Sequence, residues 1–533
     1  MIKLKLSTHV SFPWKNFNNI IFSRGYFYSL DGAHITIENI NKELSNNLDF
    51  YSFKNFIKNI DGCFSIIVYN KEKDEIFVAN DRLRGFPIFY YLDNNQRYVI
   101  TDVLRKNNNQ SFDDLSLYEF INLGYVSGKA TLLKKVFQVQ SGECLVIDKD
   151  NIKVEYYYKF LHSNYFDETV SDLYLNFKNI LINTFSCLID SLKGKPLIVP
   201  LSGGLDSRLI LSTLHELNFT DVKCFTYGLS NSKEVQISQS IASELGFEWH
   251  FVKYDKNKWQ KISKSKILKD YFSFSGNYTS TPHIQDFLAV FELKENKIIP
   301  SEAIIVPGHT GDFISGGHIP SLLLEQEISH ESLYKMIIET HYIHTNQINI
   351  DKYEYYNSKI KLKILDQISQ YNINSIDDLA SIFEFWEWRE RQSKFIINSC
   401  RVYEFFEYEW RIPLWNLAIM QFWSRIPLNL RFGKKLYKDF LLKDDYKNIY
   451  SSYNYKNYGE NKLLQNFKKL SIGKFLSGIH KRYNAYQKYK YIGLVGYDQL
   501  MRKYLDSYNI KSVISKKYLE YLKIDNDEFD FIR

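Results

Sequence analysis

The most constraining stretch of this chain is an apolar run of buried-strand length, Pro196–Leu201, that ends directly in Ser202-Gly203-Gly204 and reopens as a helix near Asp206-Ser207. A strand delivered into a glycine turn at a helix start leaves backbone N–H groups free. With the helix dipole, these make an anion site. Gly203 and Gly204 let the backbone approach phosphate oxygens with no side chain between them, and Ser202 and Ser207 add hydroxyl donors. Asp206 supplies a carboxylate for Mg²⁺, an ion that takes one or two carboxylates together with phosphate oxygens. No G-x-x-x-x-G-K-[ST] loop occurs, so the site is not of the Walker type. An ordinary capped turn explains one glycine and one serine but not all six positions.

The surrounding pattern divides the chain in two. Up to about residue 160 it reads as strands and turns, with short apolar runs at Cys63–Tyr69, Glu75–Ala79, Ile88–Leu92 and Tyr98–Thr101 and a closing hairpin at Glu143–Asp148 and Lys153–Tyr158. Leu161–Thr169 reads as a linker. Val170–Leu192 has helical periodicity, and strands at Pro196–Leu201 and Val222–Tyr227 then alternate with helices at Ser207–Leu217 and Glu234–Leu245. That alternation implies an α/β unit built on a parallel sheet. The expected division is residues 1–165 and 170–533.

Composition excludes several classes. Over 533 residues, 45% hydrophobic and 24% charged residues describe a globular protein, and a net charge of +7 without an arginine-rich run gives no reason to expect a nucleic-acid partner. No run of about 18 apolar residues occurs, so no membrane span is expected. The opening residues lack the apolar stretch of a signal peptide, and five dispersed cysteines fit reduced thiols; a cytoplasmic location is expected.

The pattern S-G-G-x-D-S after a buried strand resembles the pyrophosphate-loop family of ATP pyrophosphatases, in which the loop holds the β,γ-phosphates while a nucleophile attacks the α-phosphorus. That resemblance implies ATP and Mg²⁺, with Leu201, Ser202, Gly203, Gly204, Asp206 and Ser207 at the nucleotide. A second loop, Pro307-Gly308-His309-Thr310-Gly311-Asp312, running on to Gly316-Gly317, resembles the G-x-G-x-D-E-x-x-x-G-G loop of asparagine synthetases. It adds Gly308 to the nucleotide contacts and Asp312 as the second Mg²⁺ carboxylate. Arg411 and Pro413 match that family's R-x-P-F-L-D stretch, while Asn416 stands where Asp is usual. Asp61-Gly62-Cys63-Phe64 and Asp81…Gly85…Pro87…Tyr91 resemble class II glutamine amidotransferase signatures. The implied fold is an N-terminal antiparallel β-sandwich of the Ntn-hydrolase type, followed by a doubly wound parallel sheet with a helical extension.

In the glutamine-hydrolysing family the nucleophile is a cysteine at position 2, whose α-amine serves as base. Here Ile2 occupies that position and no cysteine precedes Cys63. The resemblance therefore implies a front unit without glutaminase activity, and an enzyme that takes free ammonia or an amine-bearing substrate. Family branches that close amide rings, the β-lactam synthetases and lasso peptide cyclases, share this loss. The expected activity joins a small-molecule or peptide carboxylate, first adenylated, to ammonia or an amine. Ammonia-dependent asparagine synthesis and a non-catalytic ATP-binding scaffold remain the alternatives. Amide formation needs a base and a cation. His309 is a candidate base, oriented by an acid from the helix bearing Glu384, Glu387 and Glu390, with Glu387 the candidate; hydrogen bonding within the loop explains His309 as well. Lys456 and Lys435 are candidates for the pyrophosphate-stabilising lysine.

Overall fold

The computed structural model describes residues 2–44, 48–106, 110–149, 151–230, 232–342, 350–453 and 518–523. The front unit contains β1 (Lys3–Lys5), β2 (Lys15–Phe17), β3 (Ile21–Ser29), β4 (Ile60–Asn70), β5 (Glu75–Asn80), β6 (Phe89–Leu92), β7 (Tyr98–Thr101), β8 (Val136–Gln138), β9 (Glu143–Ile147) and β10 (Ile152–Tyr156). Among the described residues they form an antiparallel six-stranded sheet, β10-β9-β5-β4-β3-β2, and a four-stranded sheet, β1-β7-β6-β8. One pairing departs from the expected antiparallel pattern, because β1 runs parallel to β7.

The central strand β4 is buried along nearly its whole length because both of its faces are covered. Ile67 packs with Ile76, Val78, Ile100 and Leu145 in one cluster. Phe64, Ile66 and Val68 pack on the other side with Phe53 and Ile57. A strand covered on both faces reads as a continuous apolar run, not an alternating one. The covering helices are α1 (Ile37–Leu44) and α2 (Phe50–Lys58), and α3 (Asp114–Leu123) lies further on, so the front unit is not the strands and turns alone that its sequence suggests. The signal for α2 was local: the Asp49 side chain caps the helix through the Ser52 N–H, and Phe53 and Ile57 recur four residues apart on its buried face.

The second unit starts with α4 (Val170–Leu192), with the bounds its periodicity predicts. There follow β11 (Leu197–Pro200), α5 (Leu205–Glu216), β12 (Val222–Gly228), α6 (Lys233–Glu244), β13 (Glu248–Lys253), β14 (Ile304–Ile305) and β15 (Glu409–Trp410). Their order, β13-β12-β11-β14-β15, is all parallel. From β11 the chain winds outward one way through β12 and β13, then returns to add β14 on the other side. The strand order therefore reverses between β11 and β14, the place where open α/β sheets leave a crevice at the carboxyl ends of their strands.

The two units share one core. Phe86 of the front unit stacks on Trp410 at a centroid distance of 5.4 Å, and Phe12, Tyr26 and Cys63 belong to the same apolar cluster. The substitution of Asn416 for the usual Asp has its explanation at this junction. Asn416 donates its side-chain N–H to Asp61 at 2.8 Å, and its own side-chain oxygen caps the helix Leu417–Ser424 through the Ala418 N–H. A carboxylate at 416 has no hydrogen to donate and would face Asp61 with like charge.

Candidate active site

The loops after β11 and β14 meet at the reversal point. In the first loop, the Gly204 N–H donates to the Ser202 hydroxyl at 3.1 Å, and the Ser202 N–H donates to the Ser207 hydroxyl at 3.2 Å. Arg208 donates to the Gly203 carbonyl at 2.6 Å and to the Ile449 carbonyl at 3.1 Å, tying the loop to a later segment. Gly204 precedes α5 and no side chain caps this helix start, so its first N–H groups face the crevice. Leu201 is buried beneath the loop, its carbonyl accepting from the Thr226 hydroxyl at 2.7 Å.

The second loop closes onto the first without room for side chains. A Cβ on Gly308 would lie 3.0 Å from the Ser207 nitrogen, and one on Gly311 would lie 2.9 Å from the Asp206 carboxylate. The Asp312 N–H donates to Asp206 Oδ2 at 3.1 Å, and the Tyr437 hydroxyl donates to Oδ1 at 2.9 Å. The two acids expected to hold Mg²⁺ therefore meet, the backbone of Asp312 on the carboxylate of Asp206, although they are 106 residues apart.

Electrostatics set the two acids apart. Burial, and next the Asp312 charge, push the Asp206 carboxyl up to about 7. Burial also works against Asp312, but the hydrogen bond and charge of His318 hold its carboxyl below the usual range. His318 bridges two acids, with Nε2 3.1 Å from Asp312 and Nδ1 2.5 Å from Glu387. Although burial opposes protonation, Glu387 and Asp312 together carry the imidazole up to about 10, so it is a cation at neutral pH. Arg391 adds a second cation, 3.0 Å from Glu387.

Glu387 does orient a histidine, but the histidine is His318 and not His309. His309 instead meets the Ser399 hydroxyl at 2.6 Å. That hydroxyl spends its hydrogen on the Ile396 carbonyl, so His309 Nε2–H donates to it and the Nδ1 lone pair stays available. Burial lowers the His309 pKa and keeps the ring neutral. Glu384 and Glu390 serve elsewhere, paired with Arg431 and with Lys394. Lys456 lies outside the described residues. Lys435 is exposed, whereas its neighbour Lys434 packs against Gly317 and acts on both Asp206 and Asp312. Lys434 adopts a left-handed backbone, which turns the chain just before the helix Lys435–Lys443. His318 was the main omission; its signal was its place immediately after Gly316-Gly317.

A cavity of about 280 Å³ opens over this constellation, and Asp206, Gly308, Asp312, His318 and Arg391 are among its lining residues. A larger cavity of about 480 Å³ lies between the two units, around Tyr26, Asp61, Arg411 and Asn416, and shares no residue with the first. The acid pair fits Mg²⁺: a buried carboxylate whose charge is disfavoured by a neighbouring carboxylate is a seat for a divalent cation. Among the described residues no group of three or more His, Cys, Asp or Glu forms a metal cluster.

Gly316 fixes the exit of this loop. Its φ is +84°, and a Cβ there would lie 2.4 Å from the Arg431 carbonyl oxygen. Gly316→Ala is expected to destabilise the chain by about 2–4 kcal/mol in denaturant unfolding, from left-handed backbone strain and the backbone clash. A loss under 0.5 kcal/mol would show that the loop can relax away from Arg431.

Residues 51–158 match the glutamine amidotransferase domain, and residues 192–269 match the asparagine synthase family. The two matches fall in the order in which the motifs of the two units occur. Over 283 residues it is 26% identical to the putative asparagine synthetase (glutamine-hydrolyzing) 2 of Methanocaldococcus jannaschii, covering 50% of this chain and 51% of that protein. Over 197 residues it is 23% identical to asparagine synthetase (glutamine-hydrolyzing) 1 of Bacillus subtilis, covering 35% of this chain and 30% of that protein. The chain thus spans about half or less of the length of these relatives. An NMN synthetase from Francisella tularensis is similar over 28% of this chain and 58% of its own, at 13% identity and a TM-score of 0.19, too low to carry an argument. No helix among the described residues is long and apolar enough to cross a membrane.

Proposed function

We propose that the chain is an ATP-dependent carbon–nitrogen ligase that adenylates a carboxylate and transfers the acyl group to ammonia or an amine. The observation that carries this reading is the contact between Asp312 and Asp206, which joins the two loops at the sheet's reversal point. The N-terminus of α5, Ser202 and Ser207 bind the phosphates, and Lys434 lies beside them to offset pyrophosphate charge. Held by Asp206 and Asp312, Mg²⁺ would neutralise phosphate charge and polarise the α-phosphorus. The substrate carboxylate attacks that phosphorus and pyrophosphate departs. The amine then attacks the acyl carbon, AMP departs, and His309 Nδ1 takes the amine proton.

The cysteines support a reading without glutaminase activity. Burial raises the pKa of every one of the five thiols, and Cys63 sits inside β4 with its thiol pushed well above its usual range. None is in an environment that makes a thiolate. The first test is ATP–pyrophosphate exchange against amino acids, uronic acids and peptides. Exchange dependent on one acid supports the ligase, whereas tight ATP binding without exchange for any acid favours the scaffold.

His318 orients Asp312 and is expected to act through it. His318→Asn should lower exchange about 10–100-fold and raise the Mg²⁺ concentration needed for half-maximal rate, as loss of an outer-shell partner does. An unchanged Mg²⁺ requirement would leave His318 a purely structural link to Glu387.

A further inference from the structure

One helix, Ile376–Glu387, reaches the acid pair by two routes. Glu387 meets His318, which meets Asp312. Glu384 lies three residues earlier, and residues at that spacing share a helix face. It is fully buried, and its Oε2 accepts from Arg431 Nε at 3.1 Å, with Nη2 2.9 Å from the same oxygen. Arg431 has no exposed surface either, and its Nη1 donates to the Ile426 carbonyl at 2.6 Å.

Arg431 opens a tight turn. Gly433 and Lys434 both take positive φ, +63° and +64°. A lysine holds that backbone only where its surroundings impose it. The stem of Lys434 lies across Gly317, since a Cβ on that glycine would come 2.8 Å from both Cγ and Cδ of the lysine. Gly316, one residue earlier, is packed as closely on the Arg431 backbone. The loop that carries Asp312 and the turn that carries Lys434 thus interlock, and the Lys434 charge acts on both Asp206 and Asp312.

We propose that Glu384 is a positioning residue for the pyrophosphate end of the site, fixing through Arg431 the turn that presents Lys434. One helix then sets the phosphate-facing cation against the metal-facing acid, Glu384 holding the first and Glu387, through His318, the second. This rests on the adenylation reading above, in which Lys434 offsets pyrophosphate charge. A buried ion pair adds little stability over apolar side chains of similar volume. What this one adds is direction, because a planar guanidinium bonded to a carboxylate has its orientation set as well as its distance.

The test is calorimetric binding of inorganic pyrophosphate in the presence of Mg²⁺. Glu384→Gln is expected to weaken pyrophosphate about tenfold, the scale of one charge-assisted hydrogen bond, and Glu384→Asp to recover part of the loss. The Mg²⁺ concentration for half-maximal binding should stay within about twofold, since the route through His318 to Asp312 is untouched. In a Lys434→Met background the same Glu384→Gln change should matter less than about twofold, because the lysine it places is gone. General loosening of the fold would act in both backgrounds alike. Glu384→Leu with Arg431→Met, which keeps the core filled without the ion pair, should weaken pyrophosphate as Glu384→Gln does. Equal losses with and without Lys434, or unchanged pyrophosphate binding in the apolar double variant, would overturn the role of Glu384 while leaving adenylation standing. Failure of the unsubstituted protein to bind pyrophosphate at all would remove the adenylation reading and this inference with it.

Discussion

Asp206→Asn is expected to cut ATP–pyrophosphate exchange about 10²–10³-fold while making the fold more stable at alkaline pH. The activity loss follows from removing one of two carboxylates placed to hold the metal and, through it, the phosphates. The stability gain follows from the same burial. A carboxyl with an ordinary pKa of 3.8 in the unfolded chain is pushed up to about 7 in the folded one, so the folded state binds its proton more tightly. The stability this gives is complete below about pH 4 and is lost as pH rises through about 7. Asparagine has no charge to desolvate. In metal-free buffer the Tm of the variant relative to the unsubstituted protein should therefore rise by about 2–4 °C between pH 4 and pH 8. A difference independent of pH would mean that the Asp206 charge is not disfavoured in the fold. Such an acid, kept where it costs stability, is what a functional metal site requires.

The second large effect is expected at the junction of the units. Glu404 is buried, and its Oε2 accepts from Arg24 of β3 and from Arg401, both at 2.7 Å. Burial pulls the Arg24 guanidinium down to about 10, with Glu404 the foremost group opposing that shift. Glu404→Leu leaves two buried guanidinium groups without this carboxylate, and a loss of about 3–5 kcal/mol in urea unfolding is expected. Combining Glu404→Leu with Arg24→Met should recover part of the loss, because the uncompensated charge on the front unit is gone. A loss below 1 kcal/mol would mean that the front unit is only loosely attached. This gives the front unit a role independent of glutamine chemistry: Arg24, Phe12 and Phe86 complete the core of the unit that holds the acid pair.

Local signals were readable in the chain itself. The run Pro196–Leu201 with its glycine turn, the periodicity of Val170–Leu192 and the loop ending at Gly316-Gly317 each act within a few residues, because strand burial, helix periodicity and backbone turns are short-range properties. They located β11, α4 and the acids Asp206 and Asp312. The helices α1 and α2 were less legible, since each is only two turns long and becomes stable by packing on the outer face of β4. Only the tertiary structure decided which histidine meets Glu387, which of two adjacent lysines faces the acids, and that Asp286 lines the same cavity as they do. These are pairings between residues about 70 positions apart or more, and nothing in local sequence encodes the direction a side chain takes once the sheet has brought two loop ends together. The sequence by itself determined where the two loops and their acids lie along the chain, and the order of strands in the parallel sheet determined which of these residues meet.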